Sequence, residues 1–381
     1  MTLQMLQIGM EWFTEQPGGL NRVYGHLLAE FNRQGLESLG LVAGTPDVAL
    51  ESAGLARAFD RVNAPIFRRL QAVRRMALPW LRAHDRNALI VSHFALHALP
   101  LLDQCTTHPF VIHFQGPWGE ESRIEGASRA TVAVKEFIEH QVYRRADAAI
   151  VLSHAFGEIL ATRYHVPQSR IHVVPGGVEM ARFSEARSQG QCRRELGWPA
   201  DRPVVLCVRR LVHRVGLDSL IAAAEDVRRR IPDLLILIAG VGPLAHDLER
   251  WIVERGLSDT VRMVGFVPDH QLPLAYRAAD LSVVPSLALE GFGLIAVESL
   301  AAGTPCVVTP VGGLTEIIGP FSPQLIADST HPADIAEVIS SALLGERRLP
   351  SAADCVNYAR ANFDWPVIAA RVRAVYEQVA Q

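Results

Sequence analysis

Apolar residues along the chain fall into short runs, and between the runs lie helix-length stretches whose apolar positions recur every three or four residues. The runs predict strands buried on both faces, the stretches predict helices with one buried face, and their alternation predicts parallel sheets with helical crossovers. In the first half the predicted strands are residues 3–8, 88–92, 110–114, 148–152 and 171–174. Residues 181–202 break the pattern: they have no β period and are rich in small, polar and charged side chains, which predicts a linker with a short helix. A second series follows, with strands at 204–208, 234–239, 261–264, 281–284 and 306–309 and helices near 217–230, 243–255, 269–277 and 293–302. The expected fold is α/β, two facing Rossmann-like domains with parallel sheets and an interdomain cleft. The expected domains are 1–185 and 186–364, with a terminal helix at 365–381, started by Pro366, packing back on the first.

Composition narrows the chemistry. Of the 37 basic residues only Lys135 is a lysine, and it lies in a helical pattern rather than a glycine-rich loop. That argues against a P-loop, which needs its phosphate-binding Lys, and against a pyridoxal Schiff base. A coding bias toward Arg accounts for the excess as well as any function does. A net charge of −3 gives no global basic field, so nucleic acid is not the expected partner. The cysteines Cys105, Cys192, Cys207, Cys306 and Cys355 lack metal-ligand spacing and read as reduced, buried thiols, with no metal site expected. The first residues carry no basic, apolar leader and no apolar run reaches membrane-spanning length, so a cytoplasmic location is expected.

The unusual loops follow the ends of predicted strands: Gly18 and Gly19, His113, Arg210, Gly240-Val241-Gly242, Gly265-Phe266 and Glu290. In open parallel sheets the carboxyl ends of strands form the ligand-binding edge, and two such edges across a cleft would enclose a ligand of nucleotide-sugar size. Residues 290–303, EGFGLIAVESLAAG, carry the strongest signal. Gly291 and Gly293 let backbone approach a ligand, and the helix starting near Leu294 offers free amides to a pyrophosphate. Glu298, in the second turn, suits a ribose diol, and Glu290 in the loop suits sugar hydroxyls. Each also has a plainer reading: a capping carboxylate, a solvated helix Glu and, for His113, a core histidine bonded to backbone at a strand end.

E-x7-E with an internal GFG, followed by AAGTPCVVTPVGGLTEII, resembles the donor-binding motif of family-4 glycosyltransferases, retaining enzymes of the GT-B fold. PGGLNRVYGHLLAEF resembles their N-terminal glycine loop, VIHFQGPW their histidine strand, and VVPGGVEMARF the segment closing their first domain. VRRLVHRVGLDSLIAA resembles their G-R-L-V-x-x-K-G element, AGVGPLAHDLE their glycine turn, and VRMVGFVPDHQLPLAYRAADLSVVPS the segment around the base, including Phe266 and Val267. The resemblance implies that Glu298 binds ribose, Glu290 the transferred sugar, amides near Phe292, Gly293 and Leu294 the phosphate, and Gly18 and Gly19 the donor across the cleft. Gly240 and Gly242 join the donor site, His113 lies near the reaction centre, and Arg210 binds the diphosphate with its planar fork of donors. His113, Glu290 and Arg210 are thus the candidate catalytic residues.

One element departs from the pattern: Arg209 replaces the glycine, and Val215 stands at the lysine. Arg214 is the expected substitute cation, and Arg209 is the competitor. The resemblance further implies a nucleotide-sugar co-substrate, expected to be a UDP-sugar, with retention and neither metal nor other cofactor. A dehydrogenase is opposed because GVGPLA lacks the acidic residue after the next strand. An epimerase on the same fold and an inactive sugar-nucleotide-binding protein remain the alternatives. The acceptor, whether saccharide, lipid-linked or small molecule, is expected on the first domain, with Trp118, Glu120 and Asn21 as candidate contacts. Residues 57–86, which interleave eight Arg with apolar residues, suit a phosphorylated acceptor, the inner face of an anionic membrane, or a packed helix with a solvated Arg face.

Overall fold

The computed structural model describes residues 3–16, 18–84, 88–184 and 187–381. Two compact units divide the chain: Met1–Gly177 with Trp365–Gln381, and Val178–Asp364. The first division precedes the linker read from the sequence because Val178 already belongs to the second unit. Its amide bonds the Phe363 carbonyl at 2.7 Å, and it bridges Asp364. Residues 185 and 186, where the sequence reading placed the boundary, lie outside the described residues.

The first unit holds seven strands: β1 (Gln4–Glu11), β2 (Glu37–Ala43), β3 (Ala56–Asp60), β4 (Leu89–Ser92), β5 (Phe110–Phe114), β6 (Ala148–Val151) and β7 (Ile171–Val173). They form one sheet in the order β3-β2-β1-β4-β5-β6-β7, with every pair parallel. Successive side chains point to opposite faces, so Leu6 and Ile8 pack toward the helix Ile66–Ala83, whereas Met5 packs toward the helices Gly19–Arg33 and Trp365–Val379. β2 and β3 were missed by the apolar pattern. Gly40 interrupts the first because a Cβ there would lie 2.7 Å from the Tyr24 hydroxyl and 2.8 Å from Leu28, and β3 reads ARAFD, half polar.

The second unit holds β8 (Val204–Val208), β9 (Leu235–Ala239), β10 (Val261–Gly265), β11 (Leu281–Val284) and β12 (Cys306–Val308), in the order β10-β9-β8-β11-β12 and again all parallel. Apart from edge strand β10, which carries exposed Arg262, these strands are mostly apolar and buried, so the pattern located them closely. The short helix Gln189–Leu196 opens with a reciprocal Ser188–Gln191 capping box and closes at left-handed Gly197.

Chain order reverses beside the first strand of each sheet, between β1 and β4 and between β8 and β11. Crossovers leave in opposite directions at such a point, which opens a crevice at the strands' carboxyl ends. No helix of the described residues is long and apolar enough to cross a membrane. The arginine-rich stretch is two elements, β3 and the helix Ile66–Ala83, with Arg68 paired to Asp60 at 2.8 Å and Arg74 to Asp103 at 2.6 Å. Arg86 of that stretch lies outside the described residues.

Candidate functional site

In the second unit, the loops after β8 and β11 meet at the reversal point. Arg209 follows β8, and its guanidinium Nη2 donates to Glu290 Oε2 at 2.7 Å and to Ser286 Oγ at 3.1 Å. Ser286 Oγ donates to the same carboxylate oxygen at 2.7 Å, so three side chains close one network. The Arg209 and Glu290 side chains are only 9% and 13% exposed, which removes most solvent competition for the pair. Arg214 Nη1 donates to the Leu289 carbonyl at 3.2 Å, holding the residue before Glu290, whose backbone is left-handed at φ 50. On the other side Gly313 donates its amide to the Glu290 carbonyl at 2.9 Å, and Thr309 Oγ1 donates to Ser286 O at 2.6 Å.

Close backbone approach explains the glycines here. A Cβ on Gly312 would lie 2.0 Å from the Glu290 carbonyl oxygen, and one on Gly240 would lie 1.8 Å from that of Arg209. Gly242 likewise faces Leu211 O at 2.5 Å, so these glycines are required by the chain itself. The Arg209 amide bonds Ala239 O at 2.8 Å and the Gly240 amide bonds Gly265 O at 2.7 Å, which ties the ends of β8, β9 and β10 together. Beyond β10, Phe266 is 63% exposed and Val267 half-buried. Arg210 is exposed, and its side chain makes no hydrogen bond or ion pair within the described residues.

The helix Leu294–Ala301 begins at left-handed Gly293, with Gly291 buried and Phe292 packed edge-on against Phe363. Its first amides have no partner within the helix and carry its positive dipole end. Glu298 is buried in that helix and accepts from the Tyr276 hydroxyl at 3.4 Å, and burial beside this carboxylate pushes the Tyr276 phenol well up. Buried Cys207 and Cys306 lie in β8 and β12, on either side of β11, with thiols pushed up to about 12 by desolvation. Among the described residues no group of three or more His, Cys, Asp or Glu is placed to hold a metal ion.

The reversal point of the first sheet is built from neutral groups. His113, in β5, hydrogen-bonds through Nε2 to the Tyr376 hydroxyl at 2.6 Å and stacks on His93 with ring centroids 4.1 Å apart. Its partner is thus a side chain of the C-terminal helix, where the plainer sequence reading put backbone. His97 bonds Gly9 O through Nδ1 at 3.0 Å. Burial lowers all three histidines, His113 to about 3, His97 to about 4 and His93 well below its usual value, so all are neutral at pH 7. Gly18 is extended, and neither it nor Gly19 has a neighbour within 4 Å of a built Cβ.

The acceptor-side candidates are engaged within the first unit. Asn21 accepts from the Glu11 amide at 3.2 Å and donates to Gln16 O at 3.0 Å, stapling the loop after β1. Glu120 pairs with Arg123 at 2.7 Å and Arg163 at 2.6 Å. Trp118 is half-buried, its ring under the Lys135 ammonium at 4.5 Å and edge-on to Phe94. Sequence reasoning missed Glu139, fully buried, which accepts from the Trp118 and Gly119 amides at 2.8 and 3.1 Å and from the Tyr164 hydroxyl at 3.0 Å. Desolvation raises the Glu139 carboxyl. It also missed Ser286, His93 and Tyr376; His93 directly follows the end of β4 and Ser286 lies beyond the end of β11, after Pro285, a signal available in IVSH and VVPS.

Comparison with known proteins places this geometry. The model of glycosyl transferases group 1 matches residues 188–362, and that of glycosyltransferase family 4 matches residues 17–182. Over 269 residues the chain is 33% identical to a D-inositol 3-phosphate glycosyltransferase of Thermobispora bispora, a match covering 68% of this chain and 62% of that protein. Over 216 residues it is 32% identical to a GDP-mannose-dependent alpha-(1-6)-phosphatidylinositol monomannoside mannosyltransferase of Mycolicibacterium smegmatis, covering 54% and 56% of the two chains. The chain therefore spans under two thirds of the length of these relatives. Anabaena HepE in complex with UDP shares the fold at a TM-score of 0.79 and 18% identity, covering 99% of this chain and 100% of the other. Sucrose-phosphate synthase from Thermosynechococcus elongatus does so at 0.77 and 24%, covering 98% of each. With family models matching both units and neighbours of the GT-B fold over nearly its whole length, the chain belongs to the family-4, group-1 glycosyltransferases.

Proposed function

We propose that the protein transfers a sugar from a nucleoside diphosphate sugar to an acceptor hydroxyl, with retention and without a metal. The observation that carries this reading is the β8–β11 reversal point, where Glu290, the glycine-started helix Leu294–Ala301 and exposed Arg210 follow strand ends of one sheet. Helix amides and Arg210 meet the diphosphate, Glu298 beside Tyr276 takes the ribose diol, and Glu290 takes the transferred sugar. Exposed Phe266 and neighbouring Val267 serve the base.

In the proposed reaction the bond from the anomeric carbon to the β-phosphate oxygen breaks, and the acceptor oxygen bonds to that carbon on the same face. The acceptor proton passes to the departing phosphate, and the protein stabilises charge and orients the sugar. His113, a candidate from the sequence, is a neutral imidazole whose Nε2 is engaged by Tyr376. The names of the relatives above support nucleotide-sugar chemistry and suggest phosphate-bearing polyols as acceptor probes.

A thermal-shift panel of UDP, GDP and ADP with their glucose or mannose derivatives tests the donor. A ligand at a hundred times its Kd stabilises by about 2.7 kcal/mol. Stabilisation by one base series supports the reading, and no shift with any of them overturns it. Inositol phosphates then serve as acceptors, with and without EDTA. Loss of turnover in EDTA that Mg²⁺ restores would contradict the metal-free mechanism, and an inverted product would contradict retention.

A further inference from the structure

The element after β8 departs from its family pattern at two positions, and the structure shows how the departures are linked. Val215, at the lysine position, is 2% exposed at the end of the turn His213–Val215, so an apolar side chain feeds the core where the pattern has a cation. Gly216 holds that turn against the next strand end, where a Cβ would lie 1.9 Å from Pro285 O. The turn is therefore close-packed on the loop that carries Glu290. Arg214, adjacent to Val215, gives its Nη1 to a carbonyl of that loop, and Arg210 is solvent-facing. Arg209 alone, at the glycine position, forms an ion pair with Glu290.

We propose that Arg209 is the positioning residue of the donor site and acts by fixing Glu290 rather than by replacing the absent lysine on the diphosphate. The assignment rests on the donor-site reading above. Nη2 of Arg209 and Oγ of Ser286 converge on Oε2 of Glu290, so the carboxylate is held by two donors and its Oε1 is left for sugar hydroxyls. A carboxylate held by two fixed donors loses little rotamer freedom when the sugar arrives, which is how a preformed group contributes to turnover. Neutralised by Glu290, Arg209 leaves the diphosphate charge to Arg210 and the helix amides. Its Nε is a buried donor with no partner among the described residues. Both bonds leave the single nitrogen Nη2, so a lysine at the same position keeps the charge and enough donors for serine and carboxylate but loses the rigid guanidinium plane that aims them.

The test uses the full chain and the donor that gives the largest thermal shift among UDP-glucose, GDP-mannose and ADP-glucose, with hydrolysis of that donor followed in the absence of acceptor. Arg209→Ala and Glu290→Gln should each lower kcat by about 100-fold while the Kd of the matching free nucleoside diphosphate stays within about threefold. Because the two act as a unit, the double variant Arg209→Ala/Glu290→Gln should be no more than about threefold below the worse single variant. Arg209→Lys should recover about tenfold over Arg209→Ala. If Arg209→Ala fails to fold, Arg209→Gln/Glu290→Gln keeps a neutral hydrogen-bonded pair, and Arg209→Lys supplies the kcat comparison.

The assignment is overturned if Arg209→Ala keeps kcat near wild type, if the two losses multiply, or if Arg214→Ala shows the kcat-selective loss in its place. Loss of nucleoside diphosphate binding in Arg209→Ala with kcat retained would make Arg209 a phosphate ligand and also overturn it. A wild-type protein unmoved by all three nucleotide series fails at the donor-site reading itself, a result distinguishable from any of these.

Discussion

The two reversal points share a topology and are filled in opposite ways. Where β1 and β4 part, the ends of the strands are occupied by His93, His97, His113 and Gln7, all buried. Where β8 and β11 part, the occupants are an Arg–Glu ion pair, a serine and glycines pressed against carbonyls. Imidazoles can be buried because they shed their charge, at the cost of titrating in the acid range. The ion pair can be buried because each partner meets the other and a hydroxyl. The first unit is thereby organised around hydrogen bonds among neutral groups, and the second around fixed charge and backbone.

The largest test of this contrast is pH. A histidine whose folded pKa is depressed binds fewer protons folded than unfolded below its usual 6.5, so stability is full above about pH 7 and falls as pH drops toward the folded value. With His113 at about 3 and His97 at about 4, these two should withdraw about 4 kcal/mol between pH 7 and pH 5, and His93, also lowered by burial, acts in the same direction. Glu139, raised by burial, opposes this because it gains stability as it protonates. Unfolding followed by thermal scanning across this range should show a falling Tm, with His97→Phe flattening the slope. A flat profile would mean that these rings are not buried neutral.

A backbone test of the second unit comes next. Gly312→Ala puts a methyl group into the Glu290 carbonyl at φ 52 and should cost about 3 kcal/mol in urea unfolding. Tyr376→Phe removes the 2.6 Å bond to His113 and should cost about 1 kcal/mol. Smallest is Gly18→Ala, where no atom lies within 4 Å and the change in stability should stay within about 0.5 kcal/mol. If Gly18→Ala proved as costly as Gly312→Ala, the contrast between open Gly18 and Gly312 pressed on the Glu290 carbonyl would fall.

How much was legible depends on the kind of interaction. Mostly apolar runs located β5, β8 and β11 residue for residue, because strands buried on both faces draw nearly all their side chains from apolar residues. β2 stayed hidden because Gly40 is dictated by Tyr24 and Leu28 on another element. The motif around Glu290 and Glu298 was readable as spacing along one loop and helix. Asn21, by contrast, carried a signal that suited an acceptor contact, and the structure ties it to the Glu11 and Gln16 backbone.

The sequence by itself determined the alternation of strands and helices, the residues at the strand ends and the loss of the family lysine, since all of these are local in the chain. Only the tertiary structure decided which arginine meets Glu290. Arg209, Arg210 and Arg214 lie within six residues of one another, and nothing in their order separates their roles. The partners of Arg209 and Arg214 lie 81 and 75 positions away, brought near by the pairing of β8 with β11. An ion pair forms between side chains that the backbone aims at each other, and that aim is a property of the fold, not of the spacing along the chain.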